Sequence, residues 1–341
     1  MLSIPCQILF RYGSAPRPYP PGCPFSDALP LQILEWDRFS VTRVIFPFKP
    51  GFMGISPPEA VTLMAGSLWQ SNVPDDGREP PKIDTSVPHV ARVYDYWLGG
   101  KDHFAADRET GEEAIRADPD MRSSVRANRA FLRRTVRYLT EEAGIRQFLD
   151  VGTGLPSANN THEVAQAAAP ESRVVYVDND PIVLAHARAL LTSDPRGATG
   201  YLDADARDTG KILTAAAELL DFSEPVAVML IAILQLLTDD DDPYQLVAEL
   251  TAAIPSGSFL VITHVAGDMG RMTPGALEAA RRLSELLPQR VNPRSHAQVT
   301  KFFDGLELVE PGVVPVQQWR PASDEEATAR ASLWGGLARK P

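Results

Sequence analysis

The sequence predicts a doubly wound α/β fold, a mostly parallel sheet with helices on both faces, standing behind a helical block. Three observations carry this expectation. Short apolar strands alternate with helices from Gln147 onward, as in successive βαβ units. The first of those strands runs directly into a turn containing Gly152 and Gly154. The tail then breaks the rhythm: residues 306–316 and 332–338 are strand candidates with no helix of useful length between them, which suggests an antiparallel finish.

The order of elements follows from local chemistry. Residues 1–81 hold 14 of the 30 prolines, Pro16, Pro18, Pro20, Pro21 and Pro24 among them, a density that cannot sustain long helices or ladders. Residues 1–80 are therefore expected to form a mostly disordered extension, or to reflect an upstream start with Met53 or Met64 as the working initiator. Thr85, Ser86 and Pro88 introduce a first helix that stops at Gly99 and Gly100. A second covers 108–117 and ends before Pro119; a third runs from Asp120 to Gly144 with Val125, Leu132, Val136 and Leu139 at helical spacing. Residues 81–145 thus read as a helical cap and 146–341 as the sheet domain. Strands are expected over 147–151, 173–177, 200–202, 226–234 and 258–264, with helices over 161–169, 181–191, 209–220, 243–254 and 274–287.

Composition excludes several classes of function. The 341 residues are 44% hydrophobic, enough to build a real core. Against 44 acidic residues stand 33 basic ones, a net charge of −11 that disfavours non-specific attraction to phosphates, so nucleic acid is not an expected partner. Residues 1–80 carry 6 basic and 7 acidic residues, so almost all of that acidity belongs to the remainder. Cys6 and Cys23 lie apart from any histidine cluster and indicate neither a zinc site nor a disulfide framework. No apolar run approaches the ~18 residues of a membrane span, and the start lacks a basic signal-peptide region; a cytoplasmic protein without a membrane partner is expected.

The chemistry concentrates at strand ends. Gly152 and Gly154 permit a tight turn and close approach of the backbone to a ligand where the first crossover begins. As a dinucleotide fingerprint the turn is incomplete, since Ser157 replaces the third glycine, Pro156 intrudes, and Asp150 would repel a pyrophosphate. A nucleoside-bearing ligand without phosphates fits better. Asp178 closes the second strand, where a carboxylate can accept from two ribose hydroxyls, while Asp180 before Pro181 reads as a helix cap. Asp205, beyond the third strand, can accept from an exocyclic adenine amine and Ala206 can donate its N–H to the ring.

With these residues in place the sequence resembles class I methyltransferases dependent on S-adenosylmethionine. The segments at 91–108 (Ala-Arg-Val-Tyr-Asp-Tyr-Trp-Leu-Gly-Gly-Lys-Asp-His-Phe-Ala-Ala-Asp-Arg), 126–133 and 303–312 resemble more narrowly one bacterial family of S-adenosylmethionine methyltransferases long catalogued as a domain of unknown function. The resemblance spans about residues 82–341. It implies a Rossmann-like sheet of seven strands with an antiparallel last pair behind an N-terminal helical cap, and no agreed methyl acceptor. The expected cofactor-binding set is Asp150, Gly152, Thr153, Gly154, Asp178, Asn179, Asp205 and Ala206 from the sheet, with Tyr94, Gly100, Lys101 and Arg129 from the cap. Lys101, Arg92 or Arg129 can pair with the methionine carboxylate, and the aromatics Tyr94, Tyr96, Trp97 and Phe104 can form a lid over the sulfonium or simply pack the helix onto the domain.

The acceptor side is less defined. Gln235 stands where the resembled family is expected to have histidine, and glutamine cannot act as a general base. His264, ending the fifth strand near Asp268, is the remaining candidate for deprotonating an acceptor, or a satisfied strand-end histidine. The four aspartates at 239–242 read as capping ahead of Pro243 rather than as a metal site. The expected activity is methyl transfer to a small molecule. A non-catalytic S-adenosylmethionine-binding regulator and a nicotinamide-dependent dehydrogenase remain alternatives.

Overall fold

The computed structural model describes residues 84–190, 192–269, 281, 284–285, 287 and 290–341. The chain divides into two units, Met1–Gly77 and Arg78–Pro341, and all the described residues belong to the second. The expected extension and most of the helix expected over 274–287 lie outside the described residues.

Helix α1 (Val90–Leu98) begins later than Ser86, because Asp107, fully buried on the next helix, accepts the His89 N–H at 2.9 Å and the Arg92 Nε–H at 3.1 Å. It ends as the sequence predicts. Gly99 adopts φ 85°, and the Gly99 and Gly100 N–H groups close onto the carbonyls of Tyr96 and Asp95. Helix α2 (Ala105–Ala117) starts three residues earlier than expected, since Asp107 also accepts the Phe104 N–H at 2.7 Å. Helix α3 (Met121–Glu141) joins two cores: Val125 packs with Val93, Trp97 and Ala114 of the cap, whereas Phe131, Leu132, Val136 and Leu139 pack on the sheet.

Strands β1 (Gln147–Val151), β2 (Arg173–Asp178), β3 (Ala198–Asp203), β4 (Ala227–Ile231) and β5 (Phe259–Val265) are mutually parallel. Helices α4 (Thr161–Ala168), α5 (Pro181–Leu190), α6 (Thr209–Ala216) and α7 (Pro243–Ala253) alternate with them. Side chains along the strands alternate between two cores. Leu149, Val151, Val175 and Val177 face one layer, and Phe148, Val174 and Tyr176 face the other. Strand β4 is shorter than expected because Ala232 takes φ 55° and turns the chain out of the sheet.

The tail departs from the expected pair in one respect. The stretch 306–316 contributes two short segments, β6 (Glu307–Leu308) and β7 (Val314–Pro315), separated by Pro311 and Gly312, which cannot continue a ladder. Both pair antiparallel with β8 (Leu333–Arg339), which runs antiparallel to β5. The sheet therefore has eight strands in the order β3-β2-β1-β4-β5-β8-β6, with β7 also on β8. The antiparallel finish is present, with one expected strand in two pieces.

Arg134 ties α3 to this tail. Its buried guanidinium donates to the carbonyls of Trp319 (2.9 Å) and Val316 (2.6 Å) and to Glu326 (2.7 Å). Replacing it leaves two buried carbonyls without these donors and strips the half-buried Glu326 carboxylate of one of its partners, Arg133 and the Ala322 N–H remaining. Arg134→Leu is expected to lower the unfolding free energy by about 2–4 kcal/mol in urea titration, well beyond the effect of Arg137→Leu on the exposed face.

Candidate cofactor site

The carboxyl ends of β1, β2 and β4, with residues following β3, open onto one cavity roofed by α1 and α3. Its floor is the β1–α4 turn. Gly152 sits at φ 75°, and a Cβ there would stand 2.5 Å from Ile233 Cγ1, so only glycine closes this turn. Gly154, at φ 68°, faces open space and donates its N–H to Asp178 at 2.8 Å. The other Asp178 oxygen accepts the Asp180 N–H at 2.9 Å. This carboxylate is thus aimed by two main-chain donors and keeps a free lone pair on each oxygen. Burial, working against those donors, holds the Asp178 carboxyl above its ordinary range.

Asp150 lies deeper, 4% exposed, and accepts the Thr161 hydroxyl at 2.6 Å. Burial pushes its carboxyl up to about 6, opposed by the Thr161 bond and the nearby charge of Arg129. Two polar atoms of α3 residues lining the cavity are buried and unpartnered: Asn128 Oδ1, an acceptor, and Arg129 Nε, a donor. Arg129 Nη2 donates to the Ala158 and Asn159 carbonyls, and Asn128 Nδ2 to Tyr94 Oη at 3.0 Å. Leaving such atoms unpaired is costly, and an amino-acid zwitterion would satisfy both, with its ammonium on Asn128 and its carboxylate on Arg129.

Asp205 and Ala206 also line the cavity. The Asp205 carboxylate is already engaged. It accepts from Arg207 N, Nε and Nη2 at 3.0, 2.8 and 2.7 Å, and from Asn179 Nδ2 at 3.3 Å, and the guanidinium beside it lowers its carboxyl to about 2. The long Asn179 bond is the one a ligand donor could displace.

The cavity thus brings together Tyr94, Arg129, Asp150, Gly152, Thr153, Gly154, Asp178, Asn179, Asp205 and Ala206. It does not include Gly100 and Lys101. The left-handed stop at Gly99 turns the chain outward, and both residues line an adjoining groove. Arg92 is likewise unavailable to a ligand, being held by Asp107 and by the Val87 carbonyl. His264 needs the largest correction. It is fully buried outside the cavity, its Nδ1–H bonded to the Val265 carbonyl (2.9 Å) and its Nε2 accepting from Arg294 (3.0 Å). Burial, helped by the Arg294 charge, pushes this imidazole down to about 4, so it is a neutral packing residue rather than a base facing an acceptor. Of the four aspartates, Asp239 pairs with Arg294, Asp241 accepts from Thr238, and Asp242 caps α7.

Sequence reasoning missed Asn128, Thr161, Asn160 and His89. His89 reaches across from the cap to Asp180 at 2.9 Å, and that contact rather than an aromatic lid fastens α1 over the cavity.

Residues 76–341 match the family model described as S-adenosyl methyltransferase. The chain belongs to that family. Its cofactor is S-adenosylmethionine and it is a methyltransferase. A crystal structure of a DUF574 family protein from Streptomyces avermitilis is 44% identical, with 76% of this chain and 100% of that chain covered, at a TM-score of 0.73. A candidate methyltransferase from Thermobifida fusca is 42% identical over 76% of this chain and 98% of that one, at a TM-score of 0.70. No curated protein matches. Among the described residues no helix is long and apolar enough to cross a membrane.

The Asp150 environment gives a signed pH dependence. Its folded carboxyl titrates at about 6 against an unfolded value of 3.8, so the folded state holds its proton more tightly. Stability is therefore lost as pH rises from about 4 through 6, and the loss is complete above that window. Asp150→Asn should match the wild type near pH 4 and be more stable by up to about 3 kcal/mol at pH 8 without ligand. Urea denaturation across this range checks it; an equal gap at both ends would contradict the assignment.

Proposed function

We propose that this cavity holds S-adenosylmethionine with its ribose on Asp178 and its amino-acid end between Asn128 and Arg129, for methyl transfer to a small-molecule acceptor. The Asp178 carboxylate, aimed into the cavity end of β2 by two main-chain donors with a lone pair left on each oxygen, carries this reading, and the unpaired Asn128 Oδ1 and Arg129 Nε, on adjacent residues of the cavity wall, offer an acceptor and a donor to a zwitterion. Gly154, with open space where a Cβ would stand, lets the main chain lie against the adenosine. The Ala206 N–H serves the adenine ring, and Asp205 takes its amine once Asn179 gives way. Asp150 supplies negative charge facing a ligand that carries two cationic centres. Thr153, whose hydroxyl bonds the Asp150 carbonyl at 3.1 Å, keeps the turn closed.

S-adenosylmethionine supplies a methyl group already activated by its sulfonium. The protein's task is then to orient it and to exclude water, which α1 does by lying over the cavity under the His89–Asp180 contact. A side-chain base is needed only for acceptors that must lose a proton before attack. Gln235, whose amide donates to the Ala232 carbonyl, and the buried His264 do not supply one.

Calorimetry of the full chain with S-adenosylhomocysteine tests the assignment. Asp178→Ala should weaken binding about 10-fold or more, the loss expected for a charge-assisted pair of hydrogen bonds. An unchanged dissociation constant would refute the ribose role, and preference for NAD would refute the ligand class.

A further inference from the structure

Beside the cofactor cavity, and sharing Asp95, Leu98, Arg129 and Ser157 with it, lies an open groove of about 520 Å³. One wall is α3. Arg126, Arg129 and Arg133 recur there at three- and four-residue spacing and so share one helix face, with the small Ala130 between them. The opposite wall is the outward turn that carries Lys101.

The charges in this groove do not cancel. Arg133 is paired with Glu326 at 2.5 Å. Arg129 donates only to neutral main-chain carbonyls. Lys101 and Arg126, both exposed, form no ion pair among the described residues. Two carboxylates are present. Asp95 accepts the Asp102 N–H at 2.9 Å and is itself buried, which disfavours its charged form. Asp102 faces His186, 3.5 Å away. On a chain of net charge −11, almost all of it outside residues 1–80, a groove whose Lys101 and Arg126 have no ion-pair partner among the described residues stands out. Hydrated surface lysines and arginines need no ligand when scattered. Here they converge on one concavity that opens beside the cofactor cavity.

We propose that this groove is the acceptor subsite and that the methyl acceptor is a small molecule bearing an oxyanion, a carboxylate or a phosphate, received by Lys101, Arg126 and Arg129. The inference rests on the cofactor reading above and narrows the acceptor to a chemical class. Arg129, which lines both the groove and the cofactor cavity, would then sit at the junction with its charge felt on both sides.

The test uses the full chain saturated with S-adenosylhomocysteine and titrated with inorganic pyrophosphate in one arm and citrate in the other, followed by calorimetry at low ionic strength. At least one anion is expected to bind, and the arm with the lower dissociation constant tells phosphate from carboxylate. The Lys101→Gln/Arg126→Gln double variant should lose that binding by 10-fold or more while its affinity for S-adenosylhomocysteine stays within 2-fold. Because both side chains are exposed, its thermal melt should match the wild type. Absent anion binding, or binding indifferent to the double variant, overturns the proposal. A parallel 10-fold loss of S-adenosylhomocysteine affinity also overturns it, by assigning the groove to the cofactor's own carboxylate. Failure of the wild type to bind S-adenosylhomocysteine at all would instead sink the cofactor reading, and with it the acceptor role of the groove.

Discussion

Two main-chain N–H groups converge on Asp178, from Gly154 at the end of the first glycine turn and from Asp180 ahead of α5. That convergence fixes three loops relative to one another. The first turn can reach Asp178 only because Gly152 and Gly154 occupy left-handed backbone, which any Cβ would strain, and at Gly152 would also drive into Ile233. Asp180 in turn receives His89 from the cap, and the His89 N–H is held by Asp107, which also anchors Arg92 and the start of α2. A line of carboxylates thus runs from the sheet to the roof, Asp178 and Asp180 at the sheet edge and Asp107 under the cap, with His89 between the last two. Removing one partner leaves a buried carboxylate short of a donor, so these contacts couple the cap to the sheet.

The roof is fastened differently from its sequence impression. Tyr94, Tyr96 and Trp97 suggest an aromatic lid, yet Trp97 commits its indole N–H to the Gly111 carbonyl and packs with Val93 and Ala114, and Tyr96 bonds Glu112. Of the four aromatics weighed for that role, Tyr94 is the one in the cavity wall, held there by Asn128. The cap is therefore a small core of its own, spliced to the sheet by α3. The closure over the cavity is polar and local.

How far the sequence could reveal this depends on the range of the interaction. Strand alternation, the glycine turn and the acid at the end of β2 are written in contiguous residues, and they emerge where periodicity and strand-end logic place them. The engagement of Asp205 was also legible in principle, since Arg207 stands two residues away. The start of α1 was not, because the capping carboxylate comes from Asp107, 18 residues on. His264 illustrates the same limit in reverse. A histidine at a strand end reads as chemistry until Arg294, 30 residues later, docks on its ring nitrogen. Arg129 was legible through the resemblance of 126–133, but the part played by Asn128 was not: it depends on which way α3 faces the cavity, a consequence of Phe131 and Leu132 packing on the sheet.

Asp150 shows why such an arrangement persists despite its cost. A carboxylate 4% exposed with one hydroxyl partner is a poor way to stabilise a sheet, and an asparagine would accept the same Thr161 bond without a charge to desolvate. Under the proposed function that cost is offset when the cationic ligand enters. On the proposed assignment the ligand brings two positive centres to a cavity that already holds Arg129, so a second fixed anion beside Asp178 keeps the site from becoming net positive. The basic groove outside then faces the opposite problem. An acceptor carrying negative charge would be repelled by the acidic cavity and the acidic surface alike, and the uncompensated Lys101 and Arg126 give it a place to stop beside the site without entering it. On the proposed reading, charge segregation on this scale lets one enzyme hold a cationic donor and an anionic acceptor side by side without either displacing the other.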